Sequence, residues 1–237
     1  MPYTFFVSDI HLNDQQPTIT QRFIYFLEHI AYQAQTLYII GDLFEVWIGD
    51  DEQTQLQQTI AQSLKQLSNQ GVSLYFIEGN RDFLLGPHFA KQCHMTILPQ
   101  EQVIDLYGQP WLIMHGDQLC TLDKSYQRFR RIVHQPWLQK LFLSLPLSWR
   151  QKLAHRLRQG SQNSNQNKDD AWLDVCQATV EAYCQYYQAK GLVHGHTHRG
   201  ALHLDDSIWP RLVLNDWDQQ GNYLWFDDNH NFDLVYF

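Results

Sequence analysis

Near its start the chain reads Tyr3-Thr4-Phe5-Phe6-Val7-Ser8-Asp9-Ile10-His11, a short β-rich run that changes abruptly to polar residues. The pattern returns twice: residues 37–40 precede Gly41-Asp42, and residues 74–77 precede Glu78-Gly79-Asn80. Such runs are typical of buried strands that end in loops. The chain therefore begins with three predicted strands, each followed by a candidate ligand.

Stretches with helical spacing separate these strands, at about residues 18–34 and 54–70. Strands that alternate with helices predict an α/β sheet, in which ligands gather outside the carboxyl ends of the strands. Two later runs end in the same way, before His115-Gly116-Asp117 and before His194-Gly195-His196-Thr197-His198. Four further runs predict antiparallel strands joined by Asp, Asn and Gly turns, at residues 201–204, 211–214, 223–226 and 232–236.

Length and composition favour one large domain of a cytoplasmic protein. The 237 residues suffice for one sizeable core with a small insertion. No apolar run approaches the roughly 20 residues that span a bilayer. Residues 3–7 are too short for a signal-peptide core and lack a basic flank, so we expect no secretion. The cysteines form no CxxC pair and indicate scattered thiols in a reducing compartment: Cys93, Cys120, Cys176 and Cys184.

The charge is distributed unevenly along the chain. Its net charge is −8, yet ten of its 17 Lys and Arg residues, and none of its 25 Asp and Glu residues, lie between Lys124 and Lys168. This asymmetry indicates an anionic partner at the basic segment. Helical spacing broken at Pro136 and Pro146 predicts two or three short amphipathic helices that form a lid. Residues 160–167 are polar and low in complexity, a composition typical of a flexible linker.

The residues at the strand ends suit a pair of metal ions. Hydrolysis at phosphorus needs a nucleophilic hydroxide and neutralisation of phosphoryl charge, and two cations about 3.5–4 Å apart supply both. Mixed imidazole and carboxylate ligands suit Mn, Fe, Co or Zn. One such motif alone is weak evidence, but their order and positions together are specific. The candidate metal ligands are Asp9, His11, Asp42, Asn80, His115, His196 and His198.

From Asp9 to His198, the pattern D-x-H, GD, GN, H, GHxH resembles the calcineurin-like metallophosphoesterases. The resemblance implies an α/β sandwich of two mixed β-sheets flanked by helices, with a core of residues 1–122 and 169–237 and a helical cap at 123–168. It assigns one metal ion to Asp9, His11, Asp42 and His198, and the other to Asp42, Asn80, His115 and His196. Asp42 is then the bridging ligand, and we expect Asp42, His115 and Arg81 to be the catalytic residues.

Arg81 departs from a common feature of that family, in which a His after the Asn protonates an alkoxide leaving group. Arginine donates no proton at ordinary pH, but it binds anionic oxygens with a fork of hydrogen bonds. An enzyme without the acid needs a leaving group that departs as an anion, and a phosphate, with a second pKa of about 6, fits. We therefore expect a phosphoanhydride substrate, with Arg81 stabilising the phosphates. The alternative is that Arg81 forms only a surface ion pair.

A closer resemblance joins Asp42-Leu43-Phe44-Glu45-Val46-Trp47-Ile48-Gly49-Asp50-Asp51 and Gly79-Asn80-Arg81-Asp82-Phe83 to the family of UDP-2,3-diacylglucosamine diphosphatases. It implies a lipid A biosynthesis enzyme that uses Mn²⁺ to direct water at the α-phosphorus, giving UMP and 2,3-diacylglucosamine 1-phosphate. The alternatives are a metallophosphoesterase acting on a soluble nucleotide or another phosphodiester, and a scaffold that lost catalysis. Nucleic acid fits poorly, because the acidic body would repel it.

The same resemblance gives the basic cap a function. Its apolar residues would receive acyl chains and touch anionic lipid; they are Trp137, Leu141, Phe142, Leu145, Trp149 and Leu153. This implies peripheral association with the cytoplasmic face of the bacterial inner membrane. The alternative is a helical insertion that only packs on the core. Predicted substrate contacts are Asn80, Arg81, Asp123, Ser161, Asn165, Lys168 and His196, with Ser164 as the alternative to Ser161. Asp50 and Asp51 either line the site or cap the helix that follows them, and we expect the cap.

Overall fold

A computed structural model describes residues 2–165, 174–205 and 207–237, without the side chains of residues 159 and 161–165. Its strands, in chain order, are β1 (Tyr3–Val7), β2 (Ala34–Ile40), β3 (Ser73–Ile77), β4 (Met95–Ile97), β5 (Glu101–Leu106), β6 (Gln109–Met114), β7 (Gly191–His194), β8 (Ala201–His203), β9 (Arg211–Val213), β10 (Asn222–Asp227) and β11 (Phe232–Tyr236). The α-helices are α1 (Pro17–His29), α2 (Gln55–Asn69), α3 (Pro87–Gln92), α4 (Lys124–Val133), α5 (Pro136–Leu143), α6 (Leu147–Asn165) and α7 (Gln177–Tyr186).

The strands form two mixed sheets. One has six strands in the order β11-β10-β1-β2-β3-β4, and the other has five in the order β5-β6-β7-β9-β8. Strands β1 to β4 run parallel to one another, and so do β6, β7 and β9. The runs predicted after Gly200 are all strands, but only some of their pairings are antiparallel, since β9 pairs in parallel with β7.

Three apolar clusters define the layers. One fills the space between the six-stranded sheet and α1 to α3, with Phe23 and Trp217 fully buried. A second lies between the sheets, where Phe6 and Ile40 pack with Ile113 and Val193 of the other sheet. A third joins the five-stranded sheet to α7. The fold is therefore a sandwich of two mixed sheets flanked by helices, as predicted.

Local sequence sets the helix boundaries. Thr54 and Gln57 form a reciprocal capping box at the start of α2, as the predicted helix at 54–70 required. Helix α1 starts with Pro17 at its first turn. The predicted end of this helix at residue 34 was wrong, because α1 ends at His29 and Ala34 already begins β2.

Helices α4, α5 and α6 form one helical segment between β6 and β7, divided by Pro136 and Pro146 as predicted. The backbone of residues 160–165 continues α6, so the linker that composition favoured is helical up to Asn165. In the described part of the chain, none of the helices combines the length and the apolar character that crossing a bilayer requires.

Polar contacts hold α4 and the first turn of α6 against loops of the sandwich. In α4, Tyr126 Oη and Arg130 Nε each donate to the buried carboxylate of Asp117, at 2.6 Å. In α6, the almost fully buried Arg150 donates to the Ile48 carbonyl oxygen at 2.6 Å and forms an ion pair with Asp51. Helix α4 and the start of α6 are thereby held against the loops that follow β6 and β2.

Candidate functional site

The strand ends bring the predicted ligands to one edge of the sandwich. Asp9 and Asp42 follow the adjacent parallel strands β1 and β2, and both are buried. His11 Nε2 lies 3.8 Å from Asp9 Oδ1 and 3.8 Å from Asp42 Oδ2. His198, which follows β7, has its Nε2 atom 3.3 Å from Asp9 Oδ1. Carboxylates of one sheet thus meet an imidazole carried by the other.

His115 and Asn80 extend this cluster. His115 Nε2 lies 3.6 Å from Asp42 Oδ2 and 3.0 Å from Asn80 Oδ1. The ring of His196 packs edge-on against that of His115, with 5.1 Å between centroids. All the predicted ligands therefore gather in one place.

Donor atoms converge closely enough for a metal ion in two overlapping groups. One consists of Asp9, His11 and His198, and the other of Asp9, Asp42 and His115. Asp9 belongs to both groups, whereas the family resemblance assigns the bridge to Asp42. Asp42 Oδ2 nevertheless lies between His11 and His115, within 3.8 Å of each Nε2 atom. The bridging role of Asp42 stays a prediction.

The backbone at these positions is strained. Asp9, His11, Asp42, His196 and His198 all have positive φ angles, between 53° and 69°. Non-glycine residues adopt this left-handed region rarely, and residues held in it cluster at functional sites. The strain turns each side chain inward at the point where its strand ends.

Three of the histidines present Nε2 to the centre and have an oxygen atom close to Nδ1 on the outer side, although the contact of His11 lacks hydrogen-bond geometry. His11 Nδ1 lies 3.0 Å from Glu45 Oε2, and His198 Nδ1 lies 3.0 Å from Asp216 Oδ2. His115 Nδ1 lies 3.1 Å from the carbonyl oxygen of Ile40. Histidine ligands of metal ions usually donate their other ring N–H in this way, which fixes the tautomer.

The electrostatics favour a cation at the centre. Burial alone would raise the pKa of Asp9, but the imidazole of His198 outweighs it and holds this pKa well below its usual range. Burial opposes a charge on His198, yet Asp216 and Asp9 raise its pKa to about 10. Burial, together with the nearby His115, lowers the pKa of His196 to about 4, so that its ring is neutral and able to coordinate.

The donor set fits divalent metal ions. Asp9 Oδ1 is buried, and in the described ranges it accepts no hydrogen bond of good geometry, although His198 Nε2 and His11 Nε2 lie 3.3 Å and 3.8 Å away. A buried carboxylate oxygen without a donor is costly unless a cation faces it. Imidazole nitrogens and carboxylate oxygens together suit transition metals rather than purely oxygen-preferring ions. The residues around Asp9 therefore fit a divalent metal site.

Asp82, to which the sequence assigned no function, ties two of the ligand loops together. Its fully buried carboxylate accepts backbone N–H groups of Leu43 at 2.7 Å, Gly79 at 2.9 Å and Asp42 at 3.2 Å. Burial and the charge of Asp42 raise the pKa of Asp82 to about 7.

Gly41, at φ 95°, has no room for a Cβ, since one would overlap the His115 ring.

Arg81 lies beside the cluster at the mouth of a cavity. Its backbone N–H donates to Asp42 Oδ1 at 2.8 Å, while its side-chain Nε is buried without an acceptor among the described residues. The cavity has a volume of about 500 Å³ and lies between the helical segment and the loops that follow β2 and β3. Its walls include Asn80 and Arg81 on one side, and Phe129, Leu138, Phe142, Leu153 and Leu157 on the other.

The remaining predicted substrate contacts are placed less completely. Asp123 is buried and caps α4 by accepting the N–H of Tyr126 at 3.0 Å. Ser161, Ser164 and Asn165 lie in the last part of α6, where side chains are outside the described residues, and Lys168 lies outside them altogether. Their contacts with substrate stay predictions.

Asp50 and Asp51 do not cap the helix that follows them, so that expectation was wrong. Asp50 accepts the backbone N–H groups of Gly86, His88 and Phe89 at the start of α3. Asp51 pairs with Arg150, and Thr54 caps α2 instead.

Sequence reasoning missed the residues that orient the ligands. Glu45 lies against His11, Asp216 pairs with His198, and Tyr126 stacks near His196, with 6.2 Å between ring centroids. Glu45 lies within the quoted stretch that begins at Asp42, so its position close to a predicted ligand was a signal that could have identified it. Asp216 gave no such signal, because it lies beyond the last motif.

Comparisons with known proteins agree with this geometry. The calcineurin-like phosphoesterase family model matches residues 3–200. A UDP-2,3-diacylglucosamine hydrolase of Photorhabdus laumondii is 50% identical over 237 residues, which cover 99% of this chain and 98% of the relative. The protein of the same name from Actinobacillus succinogenes is 48% identical over 224 residues, covering 94% and 95%.

Solved structures add evidence for the fold alone. An archaeal phosphodiesterase aligns with a TM-score of 0.50 at 12% identity, covering 99% of each chain. Vacuolar protein sorting 29 of Cryptosporidium parvum aligns with a TM-score of 0.51 at 11% identity, covering 100% of this chain and 97% of that one. Motif order, sandwich topology and the family match lead to one conclusion: the chain belongs to the calcineurin-like phosphoesterase family.

Proposed function

We propose that this chain hydrolyses the diphosphate bond of UDP-2,3-diacylglucosamine. Water attacks the α-phosphorus, the bond from that phosphorus to the bridging oxygen breaks, and the products are UMP and 2,3-diacylglucosamine 1-phosphate. The name of relatives that are 50% identical over nearly the whole chain supports this substrate. The activity would belong to lipid A biosynthesis.

One observation carries the proposal: a single cavity joins a phosphate-binding end to an apolar end. Asn80 and Arg81 line it beside the ligand cluster, and apolar side chains of α4, α5 and α6 line the remainder. A substrate with a diphosphate between a nucleoside and two acyl chains needs both ends. A soluble nucleotide would leave the apolar wall without a ligand.

The residues at the phosphate end have separate roles. Two bound Mn²⁺ ions would activate water and neutralise charge on the phosphoryl oxygens. Asp9, His11, Asp42 and His198 would hold one ion, and Asp42, Asn80, His115 and His196 the other. Arg81, whose buried Nε lacks an acceptor in the described part of the chain, would bind the phosphate oxygens as the leaving phosphate gains charge.

The helical segment supports a cap at residues 123–168 over a core of 1–122 and 169–237. Five of the six apolar residues predicted for it fall into two groups, and the sixth, Leu145, is half-buried. Phe142 and Leu153 line the cavity, where acyl chains would lie. Trp137, Leu141 and Trp149 point outward, with exposed fractions of 64%, 55% and 64%.

We propose that these outward residues place the protein on the cytoplasmic face of the bacterial inner membrane. Exposed aromatic and apolar side chains among basic residues suit the boundary of an anionic lipid surface, where each Lys or Arg contributes about 1 kcal/mol. Basic residues between Lys124 and Lys168 would supply this attraction, apart from Arg130, Arg150 and Arg158, whose guanidinium groups pair with carboxylates outside the segment.

The test is turnover after reconstitution with Mn²⁺, comparing UDP-diacylglucosamine with UDP-glucosamine that lacks acyl chains. We expect a much higher kcat/KM for the acylated substrate, and equal values would contradict the proposal. Asp42→Ala distinguishes an enzyme from a scaffold. If the chain is an enzyme, the variant loses turnover almost entirely. If the chain is a scaffold, the variant keeps the binding of the wild type.

A further inference from the structure

Arg158 of α6 contacts the acidic residue that orients a predicted metal ligand. Its guanidinium forms a direct ion pair with Glu45 through Nη2 and Oε1. The other oxygen of the same carboxylate, Oε2, lies 3.0 Å from His11 Nδ1. Glu45 therefore connects a helix of the cap to the metal site.

His11 differs in this respect from the two histidines that share its orientation. The outer partner of His115 is the carbonyl oxygen of Ile40 in β2, and that of His198 is Asp216, in the loop between β9 and β10. Both partners belong to the sandwich. Among these three outer partners, it is Glu45 that a side chain of the cap, Arg158, contacts.

A second contact holds the same loop against the same helix. Arg150, two turns earlier in α6, donates to the Ile48 carbonyl oxygen and pairs with Asp51. Eight residues of α-helix span about 12 Å, so the loop from Glu45 to Asp51 is held at both of its ends by α6. The loop position thus depends on how α6 is seated.

From this geometry we infer that Arg158 is a positioning residue, which couples the seating of the cap to metal binding at His11 through Glu45. The inference rests on the metal centre of the proposed function. With Arg158 in place, the Glu45 carboxylate lies against the Nδ1 side of His11, whose Nε2 faces Asp9 and Asp42. Without it, the carboxylate loses one of its two partners and is free to move away, and the imidazole loses the anion beside its Nδ1 atom.

Coupling between two sites acts in both directions. Metal binding at His11 draws Glu45 toward the imidazole and so favours the seated position of α6. The cap would close more firmly over a metal-loaded site than over an empty one. Substrate would then be enclosed preferentially where water can be activated.

The first test measures Mn²⁺ binding by isothermal titration calorimetry, without substrate. We expect Arg158→Gln to weaken one of the two sites about tenfold, the lower end of what loss of an outer partner costs, and to leave the other unchanged. Arg158→Lys, which keeps the charge, should restore most of the affinity. Arg156→Gln is the matched control, because Arg156 lies on the same helix and lines the same cavity.

The second test measures hydrogen exchange of α6 peptides before and after addition of Mn²⁺. Exchange should slow on metal addition in the wild-type protein and in Arg156→Gln, but not in Arg158→Gln. Wild-type affinity at both sites in Arg158→Gln would overturn the inference alone. Equal losses at both sites, or the same loss in Arg156→Gln, would also overturn it. A wild-type protein that binds no Mn²⁺ would overturn the proposed metal centre, and this inference with it.

Discussion

The carboxylate of Asp82 accepts the backbone N–H of Leu43 at 2.7 Å, and so joins the loop after β3 to the loop after β2. Both loops carry predicted ligands, Asn80 on one and Asp42 on the other. The relative position of these ligands is therefore set by a residue that belongs to neither group of metal-binding atoms.

Asp82→Asn should destabilise the protein by about 1–3 kcal/mol, because the new amide directs N–H donors at backbone N–H groups that then lack an acceptor. Urea denaturation would measure the change. The exposed Asp14→Asn is the control and should shift stability by no more than about 0.5 kcal/mol. An Asp82→Asn protein as stable as wild type would contradict the tie between the loops.

Gly41→Ala should displace His115, because the added Cβ would overlap its ring. We expect the variant to lose one bound Mn²⁺ per chain, measured by metal analysis after gel filtration. Gly71→Ala is a matched control: Gly71 also has a positive φ, of 100°, but nothing lies within 4 Å of a Cβ placed there. Alanine has a strained backbone at either position. If both variants lose metal, the strain, and not the overlap with His115, displaces the ion.

Arg81→Ala should lower kcat on the diphosphate substrate by about 10²–10³-fold, the cost of removing one donor that stabilises charge in the transition state. Arg81→Lys should recover little, since an ammonium group cannot reproduce the guanidinium fork. Mn²⁺ affinity in both variants should stay as in wild type, which shows that the metal site is intact. A kcat within threefold of wild type would remove Arg81 from the reaction.

Replacing Trp137 and Trp149 together with Ser should reduce flotation with anionic vesicles while leaving turnover of a detergent-dispersed substrate unchanged. Both indoles are mostly exposed, and neither lines the cavity. Tyr186→Ser tests whether any exposed aromatic residue has this effect, because Tyr186 is 80% exposed but lies on α7, outside the cap. Equal flotation of the double variant and the wild type would contradict membrane contact through these residues.

The sequence predicted the strand ends well because two signals coincide there. Each apolar run is short enough to be a buried strand, and each ends at a residue type that binds metal. The sequence pattern did not predict that the strands form two sheets, since residues 111–114 and 192–193 look like further strands of the first sheet. The family resemblance, rather than periodicity, supplied the sandwich.

Contacts between distant segments account for the errors. Asp50 caps α3 because the loop after β2 packs on the loop after β3, and no local pattern contains that contact. The polar composition of residues 160–165 indicated a linker, yet helix α6 continues through them. The positive φ angles at Asp9, Asp42 and His196 arise because tertiary contacts override local preference.

The predicted ligands of one ion come from distant parts of the chain, since Asp9 follows the first strand and His198 follows the seventh. During synthesis, an ion at this site would have no complete set of these donors until His198 has emerged from the ribosome. We therefore expect metal loading to be a late event in maturation, and truncation before His198 to give a polypeptide that lacks one predicted donor.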